Sequence, residues 1–69
     1  MRLTPEEWAI AREICTPKQL EALDLWRRGA GYKRIATLLG VDPTSARARV
    51  AAGLRRVVDW LEQDRVPWP

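Results

Sequence analysis

The chain has no histidine and a single cysteine, Cys15. One thiol can close no intrachain disulfide. Without histidine or a second cysteine there is also no ligand spacing of the kind that holds zinc. The same gaps count against catalysis. There is no imidazole base, no pair of carboxylates at a cleft-like spacing and no phosphate-binding glycine loop; Gly29-Ala-Gly31 reads as a helix stop. We therefore read the chain as a non-enzyme that needs no metal and no cofactor. No apolar run reaches the ~20 residues of a membrane span, and Met1-Arg-Leu-Thr-Pro-Glu-Glu lacks the apolar centre of a signal peptide. A cytoplasmic protein with no membrane partner, held together by packing alone, is the expectation. Phenylalanine is absent while tryptophan occurs four times, which makes Trp8 and Trp26 the expected bulky core residues. Cys15 reads as a small buried residue at a helix start, not as a reactive thiol.

What is present is one small domain of 69 residues with an uneven charge. A chain of this length buries only about 60% of its unfolded surface, and such a core rarely supplies more than about 3–5 kcal/mol. The net charge of +3 conceals a division into three parts. Residues 27–56 carry eight basic side chains against one acid, Asp42, for a local charge of +7. The segments on either side carry −2 each. Positive charge is thus gathered in the middle of the chain, where contact with phosphate would need it.

Three helix starts repeat one pattern. Leu3-Thr4-Pro5-Glu6-Glu7-Trp8 offers an N-cap, a proline at the first helical position, a capping-box glutamate and a staple pair, Leu3 and Trp8. Cys15-Thr16-Pro17-Lys18-Gln19-Leu20 repeats it with Gln19 closing the box. Val41-Asp42-Pro43-Thr44-Ser45-Ala46 keeps cap, proline and staple without the box. From these starts the sequence predicts helices over Pro5–Ile14, Pro17–Arg28, Tyr32–Leu39 and from Pro43 towards the breaker at Pro67. The expected inward faces are Trp8, Ala11 and Ile14 in the first; Leu20, Leu23 and Trp26 in the second; Ile35, Ala36 and Leu39 in the third. In the fourth they are Ala46, Val50, Leu54, Val57 and Leu61. Gly53 stands in mid-helix, where glycine costs about 1 kcal/mol relative to alanine; close approach of another helix is the expected reason. The fold class that follows is all-α. It is a small four-helix domain over residues 1–66 containing a helix-turn-helix at about 32–53, with an extended final helix and a short tail at 67–69.

The helix-turn-helix reading rests on several requirements met at fixed offsets. Ala36 is small where the two helices cross. Gly40 permits the positive φ of a tight turn. Val41 plugs the corner, Asp42 caps the next helix and Pro43 begins it. Near the start of that helix only Thr44, Ser45 and Arg47 could hydrogen-bond to base edges. Arg47 could hold a guanine through two bonds, worth about 1–3 kcal/mol of discrimination. Ala48, Ala51 and Ala52 could only touch thymine methyls or allow close approach.

The segments Cys15-Thr-Pro-Lys-Gln-Leu-Glu-Ala-Leu-Asp-Leu-Trp26, Tyr32-Lys-Arg-Ile-Ala36 and Leu39-Gly-Val-Asp-Pro-Thr-Ser-Ala-Arg-Ala-Arg-Val50 resemble region 4 of bacterial sigma factors. They are also similar to LuxR-type response-regulator domains. The resemblance covers about residues 15–57, and Arg49 followed by Val50 favours the sigma-type pattern. It implies a base-reading face at Thr44, Ser45, Arg47 and Ala48, with phosphate contacts from Lys33, Arg34 and Arg49 onward; Arg55 is assigned to phosphate as well. The chain departs from the family at Pro43, which donates no backbone bond, at the small Ala46, and at Ala48, Ala51 and Ala52. Length excludes a stand-alone sigma factor.

The function expected is binding of double-stranded DNA by a small transcriptional regulator, as a homodimer or with a protein partner. The alternative is a protein-interaction module that engages polymerase, a regulator or a host protein through the C-terminal helix. Val58, Trp60 and Trp68 are its candidate surface, and DNA binding is weak or vestigial in that reading. Small, arginine-heavy, cap-rich chains of this kind fit a phage or mobile-element context.

Overall fold

The computed structural model describes the backbone of residues 3–65 and the side chains of residues 3–63. The expected tail at 67–69, and Trp68 with it, lie outside the described residues. Four helices follow one another: α1 (Pro5–Ile14), α2 (Pro17–Arg27), α3 (Tyr32–Leu39) and α4 (Pro43–Arg65). The architecture is the small all-α four-helix domain read from the sequence, with α2 closing at Arg27 and Arg28 serving as its C-cap. Among the described residues there is no strand, and no helix is long and apolar enough to cross a membrane.

The helix starts form as their side chains require. The Thr4 hydroxyl accepts from the Glu7 N–H at 3.1 Å, and the Glu7 carboxylate accepts from the Thr4 N–H at 2.8 Å. Thr16 and Gln19 repeat this exchange at 3.3 and 3.1 Å. Each reciprocal pair satisfies two backbone donors that the first turn leaves without partners. By contrast, α3 begins at Gly31 with no side-chain cap. At eight residues it is too short to persist by its own propensity, so burial of Ile35 and Ala36 holds it in place.

All three shorter helices pack on α4, which at 23 residues is about 34 Å long. The buried core is Ala11, Ala22, Leu23, Ile35, Ala36, Ala46, Val50 and Val57. Trp8 and Trp26 do not fill it. Trp26 is half-buried and packs against the cluster from its edge. Trp8 is half-buried with the Arg27 guanidinium 4.1 Å above its ring. Alanine occupies four of the buried positions, so the helix axes come close and leave no indole-sized space between them. The indoles are displaced to the rim, where an arginine can cover one face. Leu20 and Ile14, read as inward, are likewise half-buried, as are Leu39, Leu54 and Leu61.

Gly53 marks the crossing of α2 and α4. A Cβ built there would fall on Leu23 Cδ1 and lie 3.2 Å from Leu23 Cγ and 3.6 Å from Gln19 Cβ. Leu23 is fully buried and has nowhere to retreat. The Cys15 thiol donates to the Gly53 carbonyl at 3.6 Å, which ties the α1–α2 corner to the same point. Close approach therefore explains the glycine. Gly53→Val should cost about 3 kcal/mol, combining the overpacking penalty with the loss of that approach. Urea unfolding of the two proteins would check it, and a variant as stable as the parent would show that α2 does not press on α4 there. The Cys15 thiol, raised above its ordinary pKa by burial with Arg56 opposing the shift, is protonated and a poor nucleophile.

Candidate nucleic-acid interface

The turn between α3 and α4 is built from few residues. Gly40 closes α3 in the left-handed region, at φ 70° and ψ 33°, where a side chain would be strained. The Val41 N–H donates to the Ala36 carbonyl at 2.9 Å, and Val41 packs against the core cluster that contains Ile35, Ala36 and Ala46. Asp42 then caps α4. Its carboxylate accepts from the Ser45 N–H at 2.6 Å. Hydrogen bonding from Ser45 above all holds the Asp42 carboxyl below its ordinary pKa. The sole acid of the basic segment is thus engaged in starting the helix.

This cap involves one candidate base reader. Ser45 is half-buried and gives its N–H to Asp42, so its backbone begins the helix. Thr44 is exposed, as are Arg47, Ala48 and Ala51. The spacing of these four at i, i+3, i+4 and i+7 puts them on one face of α4. The centre of that face is Arg47, whose guanidinium carbon lies 5.9 Å from the centroid of the Tyr32 ring. Tyr32, at the start of α3, is 37% exposed. Its ring joins the two helices across the turn and limits where Arg47 can point. Sequence reasoning did not single out Tyr32. The signal was there, an exposed aromatic opening the helix that precedes a basic one, but the pairing depends on a helix crossing that spacing alone does not show.

The candidate phosphate-binding cations divide by position. Lys33 is exposed on the first turn of α3, and its carbonyl accepts from the Thr37 hydroxyl at 3.1 Å. Arg49 is half-buried on the flank of α4. Arg34 instead lines a groove with Arg28 and Leu38, on the side of α3 that faces α2. Arg55 is highly exposed and lies 3.5 Å from Asp59. An exposed pair of this kind contributes little and leaves the arginine available.

Val58 and Trp60, read together as one protein-binding surface, are not brought together. Both are exposed, at 47% and 40%. Two residues apart on a helix is about 200° of rotation, so they occupy opposite flanks of α4. Trp60 lines a shallow groove with Ile14, Arg56, Asp59 and Gln63, and Val58 has no part in it. No group of three or more metal-ligating side chains occurs among the described residues. In comparisons with known proteins, no family model, no curated protein and no solved structure matches the chain.

Proposed function

We propose that this chain binds double-stranded DNA through the α3–α4 helix-turn-helix, with α4 in the major groove, and that it acts as a small transcriptional regulator. The observation that carries this is the exposed face of Thr44, Arg47, Ala48 and Ala51 at the start of α4, set in a segment with a local charge of +7. Arg47 reads a guanine edge while Tyr32 holds it at the correct side of the helix. Thr44 supplies a second polar contact, and the alanines let the helix sit deep against thymine methyls. Lys33, Arg49 and Arg55 bind phosphates on the flanks and fix the register. The resemblance to sigma region 4 and LuxR-type domains supports the same assignment of faces.

One side chain able to grip a base in two places gives little specificity, so the regulator acts as a dimer or beside a partner protein. A second reading, docking on polymerase or another protein with α4 as the contact, draws on Trp60, which is exposed beside Ile14 and Asp59. Large aromatic residues held at a groove edge are common anchors of protein interfaces. The experiment that separates the two is a titration of a random-sequence duplex at increasing salt. DNA binding through this surface gives affinity that falls steeply with salt. A protein-docking module gives none.

A further inference from the structure

α2 has a groove on each flank, and the two differ in sign. On the α1 side, Trp8, Pro17 and Leu20 floor a groove of about 310 Å³ rimmed by Glu21 and Asp24. On the α3 side, Leu25, Ala30 and Leu38 floor one of about 420 Å³ rimmed by Arg28 and Arg34, with no acid in its lining. This second groove is made of groups the fold leaves unused. Leu38 is 57% exposed, more than any other large hydrophobic residue described. Arg34 makes no ion pair among the described residues. Arg28 has only the exposed contact with Asp24 at 3.2 Å, which leaves it available. Gly31 has φ −76° and ψ 165°, extended backbone that any residue adopts, and a Cβ there would meet nothing within 4 Å. A capping serine or aspartate would fit at this position; glycine keeps the mouth of the groove bare. The backbone beside it offers donors. The Leu25 carbonyl already accepts from the Ala30 N–H at 3.1 Å, while α3 starts with no side-chain cap and its first-turn N–H groups still need acceptors.

We propose that this groove binds an acidic segment of a different protein, which seats one large apolar side chain on Leu25 and Leu38 between carboxylates that meet Arg28 and Arg34. The sign of the groove selects the occupant. Two cations and open N–H groups stand around an apolar floor, with no carboxylate to repel an anion. The floor then decides between kinds of anion. A DNA strand would satisfy the arginines with phosphate, but its backbone carries no apolar side chain to cover Leu38. An acidic peptide carries both groups, and on a helix it sets them one turn apart, which is also the spacing of Arg34 and Leu38 along α3. The groove is separate from the Thr44, Arg47, Ala48 and Ala51 face of α4, so the proposal stands whether or not α4 binds DNA. With α4 on DNA, the same groove supplies the partner protein that weak base reading calls for.

The test is selection of short random peptides displayed on phage against the whole chain without DNA, with clones that also bind Arg34→Glu discarded. The survivors should carry Asp or Glu on both sides of a Leu, Ile, Phe or Trp. The most enriched peptide is then made synthetically and titrated by fluorescence anisotropy. Arg34→Glu and Leu38→Gln should each weaken it roughly tenfold or more. Lys18→Glu, an equal change of net charge at an exposed position of α2 outside the groove, should leave it unaltered. Exchanging the acids of the peptide for lysine should restore binding to Arg34→Glu. Neither groove variant should harm the fold. Leu38 is exposed, and Arg34 is in the first turn of α3, where an acidic side chain favours the helix; helicity by circular dichroism checks both. No enrichment of acidic, apolar peptides would overturn the proposal, as would a peptide that Lys18→Glu weakens as much as Arg34→Glu does. Loss of duplex binding in Arg34→Glu with no peptide selected would give the groove to DNA. Loss of a parent dimer in that variant, again with no peptide selected, would give it to a second copy.

Discussion

Leu23→Ala should leave most of the chain unfolded at room temperature. Leu23 is completely buried and lies between α2 and the backbone of α4 at Gly53. Truncating a buried leucine to alanine costs about 2–5 kcal/mol, more when the surroundings cannot collapse into the space. A core of this size supplies only about 3–5 kcal/mol in total. Collapse is restricted here because the facing position on α4 is Gly53, which has no side chain to move into the space, and its carbonyl is tied to the Cys15 thiol. Circular dichroism would show the loss of helix directly. Leu20→Ala is the control: Leu20 is half-buried at a groove and should cost well under half as much. Equal losses at the two positions would mean that the core does not centre on the α2–α4 crossing.

Arg47→Ala should abolish base preference at one position while leaving most of the affinity. A guanidinium bonded to both acceptors of a guanine contributes about 1–3 kcal/mol of discrimination, or roughly 5- to 150-fold between the right and wrong base. The measurement is selection from a random duplex library with the parent and the variant. The parent should enrich a guanine at one position of its half-site, and Arg47→Ala should flatten that position alone. Lys33→Ala or Arg49→Ala should instead weaken binding evenly across sequences, because phosphate contacts carry no sequence information. An unchanged preference in Arg47→Ala would remove the central residue from the reading face.

Much of this fold is visible in the order of residues because its signals are local. A hydroxyl or amide three residues from its backbone partner needs no tertiary information, which is why the starts of α1 and α2 follow directly from Thr4-Pro5 and Thr16-Pro17. The same holds for Gly40, whose left-handed turn is a property of a single residue. What the order of residues leaves out comes where two helices must be placed against each other. Trp8 and Trp26 have the size and apolarity of core residues, yet the alanines beneath them close the space those indoles would need. Ser45 is a base reader from its offset, and what the offset does not show is that it is half-buried with its N–H on the Asp42 carboxylate three residues earlier. Val58 and Trp60 look adjacent in sequence and are parted by helical rotation. Arg34 shares a basic dipeptide with Lys33, yet one step along a helix turns it through about 100°, towards α2. The pairing of Tyr32 with Arg47, and the two oppositely charged grooves beside α2, exist only once α1, α2 and α3 are packed.

DNA binding through α3 and α4 is tested most directly by the salt dependence of affinity for a duplex of arbitrary sequence, followed by fluorescence anisotropy. Three cations near phosphate, Lys33, Arg49 and Arg55, give a slope of log affinity against log salt of about −2.7. Raising salt from about 50 to about 200 mM should therefore weaken binding about 40-fold, and Lys33→Ala should reduce the slope by about one. No measurable affinity at the lower salt, or an affinity that salt leaves unchanged, would contradict the assignment of this surface to DNA.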